Sequence, residues 1–224
     1  MSETEKVLLV ERQGPIAIVI LNRPDKRNAL SEKLWGELKT TFENFEPDVR
    51  CVVLAGAGKH FCAGLDLSEH RHREAFDSIF MSRFAHATLD AIQFGGRPVV
   101  TAMQGAVIGG GASVRVAKII GSGRMVEMML TGRTLDAAAG ERLGLSHYLV
   151  ESGKTLEKAI ELAGAIAKNA RIPNYLIVQA IPRIEDMAAS DGLWTESVAQ
   201  AVSMTSDDAR DGIDAYFGKR KIEF

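Results

Sequence analysis

The chain has 224 residues, 46% of them hydrophobic and 25% charged, enough to bury a sizeable core as one large domain or one domain with a small appendage. A net charge of −2 and a pI near 6.2 give no broad basic field, which argues against nucleic acid or an anionic membrane as partner and for small molecules or other protein chains. The polar start Met-Ser-Glu-Thr-Glu-Lys has no apolar stretch behind it, and no run is long enough to span a bilayer, so a cytoplasmic protein is expected.

Strand and helix signals alternate to about residue 150. Val7–Glu11 and Ile16–Leu21 are apolar and β-branched around Gln13-Gly14-Pro15, which predicts a hairpin. Ser31 caps a predicted helix in which Leu34, Leu38, Phe42 and Phe45 recur at helical spacing, with Pro47 as its stop. Cys51–Leu54 reads as a short buried strand, and glycines at 56, 58 and 64 mark a loop after it. A mostly polar helix is predicted over 68–94, with His70, Arg71, His72 and Arg73 near its start, and Gly95-Gly96 ends it before a strand at Val99–Met103. Helices at Arg124–Leu130 and from Asp136, and a short strand at His147–Val150, follow Gly121. From there the signals are helical: Thr155–Lys168, Asn174–Met187, Leu193–Ser203 and Asp207–Phe217, the last capped by Ser206. No internal repeat or low-complexity tract is present.

Two stretches carry the chemistry. Lys59-His-Phe-Cys-Ala-Gly-Leu-Asp-Leu67 and Pro98-Val-Val-Thr-Ala-Met-Gln-Gly-Ala-Val-Ile-Gly-Gly-Gly111 each run from strand-like residues into small-residue backbone. Together they can aim two unobstructed N–H groups at one carbonyl oxygen, the layout of an oxyanion hole. Backbone donors suit that task because they cannot lose a proton or swing away, and the glycine triplet puts no side chain in the path. Losing one such donor weakens transition-state stabilisation by roughly 3 kcal/mol.

Five motifs in order, Asn22-Arg-Pro-Asp-Lys-Arg-Asn-Ala-Leu30, Phe61–Leu67, Gly105–Gly111, Thr131-Gly-Arg133 with Ala138–Leu145, and Ser206–Lys221, resemble the enoyl-CoA hydratase/isomerase (crotonase) family from end to end. The resemblance implies an α/β fold, a spiral of ββα units over 1–150 with a helical C-terminal part over 151–224 used for oligomer contacts in a homotrimer or a hexamer built as a dimer of trimers. It implies acyl-CoA thioesters as substrates, an enolate-like intermediate and no permanently bound cofactor, coenzyme A entering as part of the substrate. By motif position, the oxyanion donors are the backbone N–H groups of Leu65 and Gly110. The same likeness places the adenine and pantetheine arm along Ala63, Leu65, Asp66 and Leu67, with Lys26 and Lys219 as candidates for the phosphates. Each lysine reads equally well as a solvated charge, and Asp66 equally well as an Asx turn without substrate contact.

One departure stands out. Family members follow the glycine triplet with a helix that often carries a glutamate, then strands, a second acid and a second glycine-rich stretch. Here Gly111 runs at once into Ala112-Ser-Val-Arg-Val-Ala-Lys-Ile-Ile-Gly121, which looks like that later stretch, so the triplet could belong to either side of the junction; Gly105-Ala-Val-Ile108 favours the first. Ser113 stands where a hydratase offers its first glutamate, and no residue matches the second acid. A true deletion here would uncover apolar faces beneath the site. On stability grounds a longer polypeptide, with a mobile segment after Gly111, is expected.

The resemblance points first to hydration of a 2-enoyl-CoA to a 3-hydroxyacyl-CoA. Isomerisation, thioester hydrolysis, dehalogenation and decarboxylation share the same hole, and a catalytically silent acyl-CoA-binding member is the reading from a different class. Other features carry less. Gly121-Ser-Gly123 with Glu141 lacks the third glycine of a dinucleotide fingerprint, Val126 standing there. His60, His70, His72, His86 and His147 fit no ligand set and read as solvated; no metal site is expected. Cys51 and Cys62 make neither a CxxC nor a zinc spacing and read as reduced, half-buried thiols. Glu127 reads as a surface charge, Asp207-Asp208 as helix-start carboxylates, and Met125, Met128, Met129 and Leu130 as core or interface packing. Intact mass separates the two accounts of the junction: a value above 24.3 kDa is expected, and 24.3 kDa itself would mean the segment is gone.

Overall fold

The computed structural model describes residues 6–69, 71–72, 74–108, 112–222 and 224. One four-stranded sheet, in the order β1 (Leu8–Gln13), β2 (Ile16–Leu21), β3 (Cys51–Gly56), β4 (Val99–Ala102), organises the first half. β1 and β2 form the expected hairpin, turned at Gly14 with φ 58°. β2, β3 and β4 run parallel, so each step needs a crossover: α1 (Glu32–Glu43) joins β2 to β3, and α2 (Ala75–Phe94) joins β3 to β4.

Register decides which side chains share a face. Ala17 pairs with Val52 and Val19 with Leu54, and these point to the face covered by Leu34, Trp35, Leu38 and Phe42 of α1 and by Phe84, Leu89 and Ile92 of α2. The residues between them, Ile16, Ile18, Cys51, Val53 and Ala55, point the other way. With both faces covered, β2 and β3 read as continuous apolar runs rather than as an alternation. Ser31 caps α1 as expected, its Oγ accepting from Leu34 N at 3.2 Å.

The second face is covered by α6 (Thr155–Ala167). Its Ala159, Ala163 and Ala167 recur every four residues, and all three are buried against Ile16, Ile18 and Val53. Small side chains on that stripe let the helix axis come close to the sheet.

Between β4 and α6 lie three short helices, α3 (Ala112–Ile120), α4 (Ser122–Thr131) and α5 (Ala137–Arg142), the last capped by Asp136 through Ala139 N at 2.7 Å. After α6 come α7 (Arg171–Ile184), α8 (Ala189–Met204) and α9 (Asp207–Phe217), with Ser206 Oγ accepting from Ala209 N at 3.1 Å.

Two expectations fail. His147–Val150 is not a strand: among the described residues no strand pairs with it to take up its backbone groups, and Tyr148 and Leu149 stay more than half exposed. The predicted 68–94 helix begins only at Ala75; a 3-10 turn at Leu67–Glu69 precedes it, Arg71 and His72 lie between, and His70 and Arg73 fall outside the described residues. No side chain caps α2 at Glu74, so local chemistry gives no early start.

Apolar surface is exposed on both sides of the sequence junction and at the start of α2. Ile108 before the triplet, Val114 and Ile119 on α3, and Val126, Met129 and Leu130 on α4 are each more than half exposed, as are Phe76, Ile79 and Phe80 at the start of α2. Among the described residues β4 pairs only with β3. Met125 is the buried member of the methionine cluster. Both cysteines are fully buried rather than half-buried, and burial pushes the Cys51 thiol up to about 11.

The close seat of α6 on the sheet can be tested by overfilling it. Ala163→Leu inserts three carbons at a site with no exposure and is expected to lower unfolding free energy by about 1–3 kcal/mol in urea titration.

Candidate oxyanion site

Building the site begins at a turn. After β2 the chain makes a 3-10 turn at Pro24–Lys26, then places Arg27 and Asn28 in the left-handed region at φ 50° and 57°. Asparagine tolerates that conformation better than most residues. The reversal drives Asn28 inward until none of it is exposed. A buried amide must find partners, and this one does: Oδ1 accepts from Arg23 N at 2.8 Å, while Nδ2 donates to the Ala57 and His60 carbonyls at 2.9 and 2.7 Å. Gly56 makes the approach possible. A Cβ there would stand 2.8 Å from Asn28 Nδ2 and 2.5 Å from the Phe61 carbonyl oxygen.

The same turn holds the 63–67 loop. Ala63 N donates to Arg27 O at 2.9 Å, Leu30 N to Gly64 O at 2.7 Å, and Asp66 N to Leu30 O at 3.2 Å, making a one-residue parallel bridge between Leu30 and Leu65. In a parallel bridge the middle residue's own N–H and C=O face away from the partner. The Leu65 N–H therefore points outward, and among the described residues it has no acceptor. Its side chain is 58% exposed.

Asp66 anchors the next position from within. Its side chain is 5% exposed; Oδ1 accepts from Ser68 Oγ at 2.6 Å and Ser68 N at 3.0 Å, and Oδ2 pairs with Arg23 at 2.7 Å. The Ser68 hydroxyl and the Arg23 guanidinium together hold this carboxyl down at about 2. Its oxygens are engaged with the turn.

The second loop docks onto the first. Phe61 N donates to Gln104 O at 2.7 Å, Cys62 N to Ala106 O at 3.0 Å, and Ile108 N to Cys62 O at 2.9 Å. Gly64, at φ 81°, leaves room for Ile108, whose Cγ2 would lie 2.9 Å from a Cβ there. The Gln104 side chain donates to the Gly58 carbonyl at 2.6 Å and accepts from Thr155 Oγ at 3.0 Å, tying the loops to the start of α6. His60 is not a solvated histidine: its Nδ1 accepts from Ala106 N at 3.0 Å.

The remaining expectations fall as follows. Lys26 is exposed, one residue before the Arg27 carbonyl that Ala63 binds. The Ala63 N–H is thereby used internally, and among the described residues its carbonyl and the Leu65 N–H and C=O have no hydrogen-bond partner. Leu67 is 75% exposed. Lys219, past the end of α9, is exposed, and no hydrogen bond or ion pair among the described residues joins it to the loop. Gly110 lies outside the described residues. Ser113 is exposed in the first turn of α3, a helix without any carboxylate. Glu127 pairs with Arg133 at 2.8 Å on the surface, and His72, His86 and His147 are exposed. No cluster of three potential metal ligands occurs among the described residues.

A depressed carboxyl stabilises the fold above its ordinary range, and that contribution disappears as pH falls through the range towards about 2. Asp66→Asn should therefore destabilise most near neutral pH, by roughly 1–2 kcal/mol, and progressively less on acidification. Urea titrations across that range read it directly.

The chain as a whole resembles known proteins. A family model described as enoyl-CoA hydratase/isomerase matches residues 11–117. Enoyl-CoA hydratase EchA19 of Mycobacterium tuberculosis is 30% identical, covering 96% of this chain and 95% of that protein. The short-chain-enoyl-CoA hydratase of Clostridium acetobutylicum is 26% identical, covering 96% of each. The crystal structure of enoyl-CoA hydratase from Bacillus anthracis superposes with a TM-score of 0.89 at 27% identity, covering 98% of this chain and 99% of that one. The EchA19 alignment runs over 253 positions against 224 residues here, so tens of positions in that relative have no counterpart. Its full-length likeness, the superposed fold and the two docked loops make this chain a member of the enoyl-CoA hydratase/isomerase (crotonase) family.

Proposed function

We propose that the protein hydrates a 2-enoyl-CoA, and that the outward Leu65 N–H is one of two donors to the thioester oxygen. The single observation that carries this is the outward Leu65 N–H, without an acceptor among the described residues, on a loop held in place by its bridge to Leu30 and by Asp66. A donor that is already oriented need not reorganise as charge develops. When water's oxygen bonds to C3, the C2=C3 π electrons move towards the thioester oxygen. A proton then goes to C2, and the negative charge in between rests on that oxygen.

Gly110 N–H is the second donor in this proposal. It follows Ile108 by two residues, and Ile108 is packed on Gly64, beside Leu65. The free backbone of Ala63 and Leu65, with Asp66 and Leu67 completing the loop, takes the nucleotide and pantetheine arm; Lys26 and Lys219 serve the phosphates. No permanently bound cofactor is needed. Exposed Trp194, Val198 and Val202 on α8, and Tyr216 and Phe217 on α9, suit the contacts of a homotrimer or hexamer, and a cytoplasmic setting fits two free, buried thiols. Residues 1–150 then form the spiral core and 151–224 the helical oligomerisation part. No helix among the described residues is long and apolar enough to cross a membrane.

A second reading is favoured by α3, which offers Ser113 and no acid: an acyl-CoA-binding member that does not turn substrate over. One assay separates the two. Crotonyl-CoA should give 3-hydroxybutyryl-CoA, and Gly64→Ala, which forces a Cβ against Ile108 at a φ of 81°, should lower kcat/KM by roughly tenfold or more. Binding of a panel of enoyl-CoA esters without any product would establish the silent reading instead.

A further inference from the structure

His60 lies where the two loops meet, and among the described residues its ring belongs to neither a ligand cluster nor an ion pair. Three contacts fix where it sits. Its carbonyl accepts from Asn28 Nδ2 at 2.7 Å, so the residue is held from beneath by the buried amide. Its Nδ1 accepts from Ala106 N at 3.0 Å, which requires Nδ1 to be unprotonated and the ring proton to sit on Nε2. Gly105, at φ 57°, lies against it so closely that a Cβ would stand 2.6 Å from Nδ1 and 2.2 Å from the Lys59 carbonyl oxygen. The imidazole therefore acts as a backbone acceptor would, extending the short pairing between Cys62 and Val107 by one more bond.

We propose that His60 is a positioning residue for thioester activation: its Nδ1 holds the second loop, with Ile108 packed on Gly64, against the first, so that the Leu65 N–H is aimed at the thioester oxygen. The inference rests on the oxyanion reading given above. His60 does not touch substrate in this role. A bond that only holds the fold would affect stability; one that aims a donor affects how strongly the bound carbonyl is polarised.

Isotope-edited infrared spectroscopy of bound butyryl-CoA, a saturated thioester that cannot be hydrated, reads that polarisation in the full-length protein. On the wild type the thioester carbonyl band should move to lower wavenumber than in free butyryl-CoA. His60→Asn keeps an acceptor near the Nδ1 position and should retain most of the shift; His60→Leu removes it and should lose most of the shift while butyryl-CoA still binds. With crotonyl-CoA, kcat should fall by roughly tenfold or more in His60→Leu with KM little changed, and recover in His60→Asn. Gly105→Ala, approaching the same contact from the other side, should reproduce the loss and decides the matter should His60→Leu fail to fold. A full shift retained in His60→Leu or in Gly105→Ala overturns the positioning role and leaves the oxyanion reading intact. A wild type that binds butyryl-CoA with no shift, or does not bind it, overturns both.

Discussion

One side-chain amide, buried and fully satisfied, holds the site together. Asn28 receives a hydrogen bond from the start of its own turn and donates two to the loop that follows β3, spanning 32 residues of sequence in its longest reach. A neutral amide with every polar atom paired is worth more inside the protein than at its surface, and leaving any of those partners alone costs about 1–3 kcal/mol each. Geometry follows from the energetics. The amide fixes Ala57 and His60, the turn's carbonyls fix Ala63 and Asp66, and the Leu65 N–H is left without an acceptor among the described residues.

Around this centre the charges are arranged to hold rather than to react. Arg23 and Asp66 neutralise each other beneath the loop, with Ser68 taking the carboxylate's other oxygen. Such a pair is costly to break from one side, because the partner is left charged and out of water. The surface beyond the second loop has the opposite character. Apolar side chains of α3 and α4 stand in solvent, and a carboxylate-free helix begins where the family offers an acid. The loop that bears Leu65 is thus tied down in detail, while α3 offers no carboxylate.

Local signals in the sequence were read correctly where local chemistry decides. The caps expected at Ser31 and Ser206 each form their hydrogen bond, and the hairpin closes at Gly14. Failures occur where the partner is distant. His147–Val150 has strand-like residues but, among the described residues, no strand to pair with, and the polar segment before Ala75 lacks a cap to start α2 early. His60 looked solvated because the group that binds it, Ala106 N, lies 46 residues away. Asn28 was visible as part of a motif, but its burial depends on a left-handed turn that asparagine permits without announcing. Ala159, Ala163 and Ala167 passed as ordinary helix formers; their function as the cover of a sheet face is a property of spacing and smallness together.

That alanine stripe also constrains the order in which the molecule can form. Ile16, Ile18 and Val53 emerge early in synthesis, yet the helix that shields them ends at Ala167, well over a hundred residues after the first of them. Until then one side of the nascent sheet is bare and adhesive, and its parallel pairings already carry the long loop closures that slow folding. The half of the chain that bears the two docked loops can gain a settled scaffold only once a later helix has arrived to lie upon it.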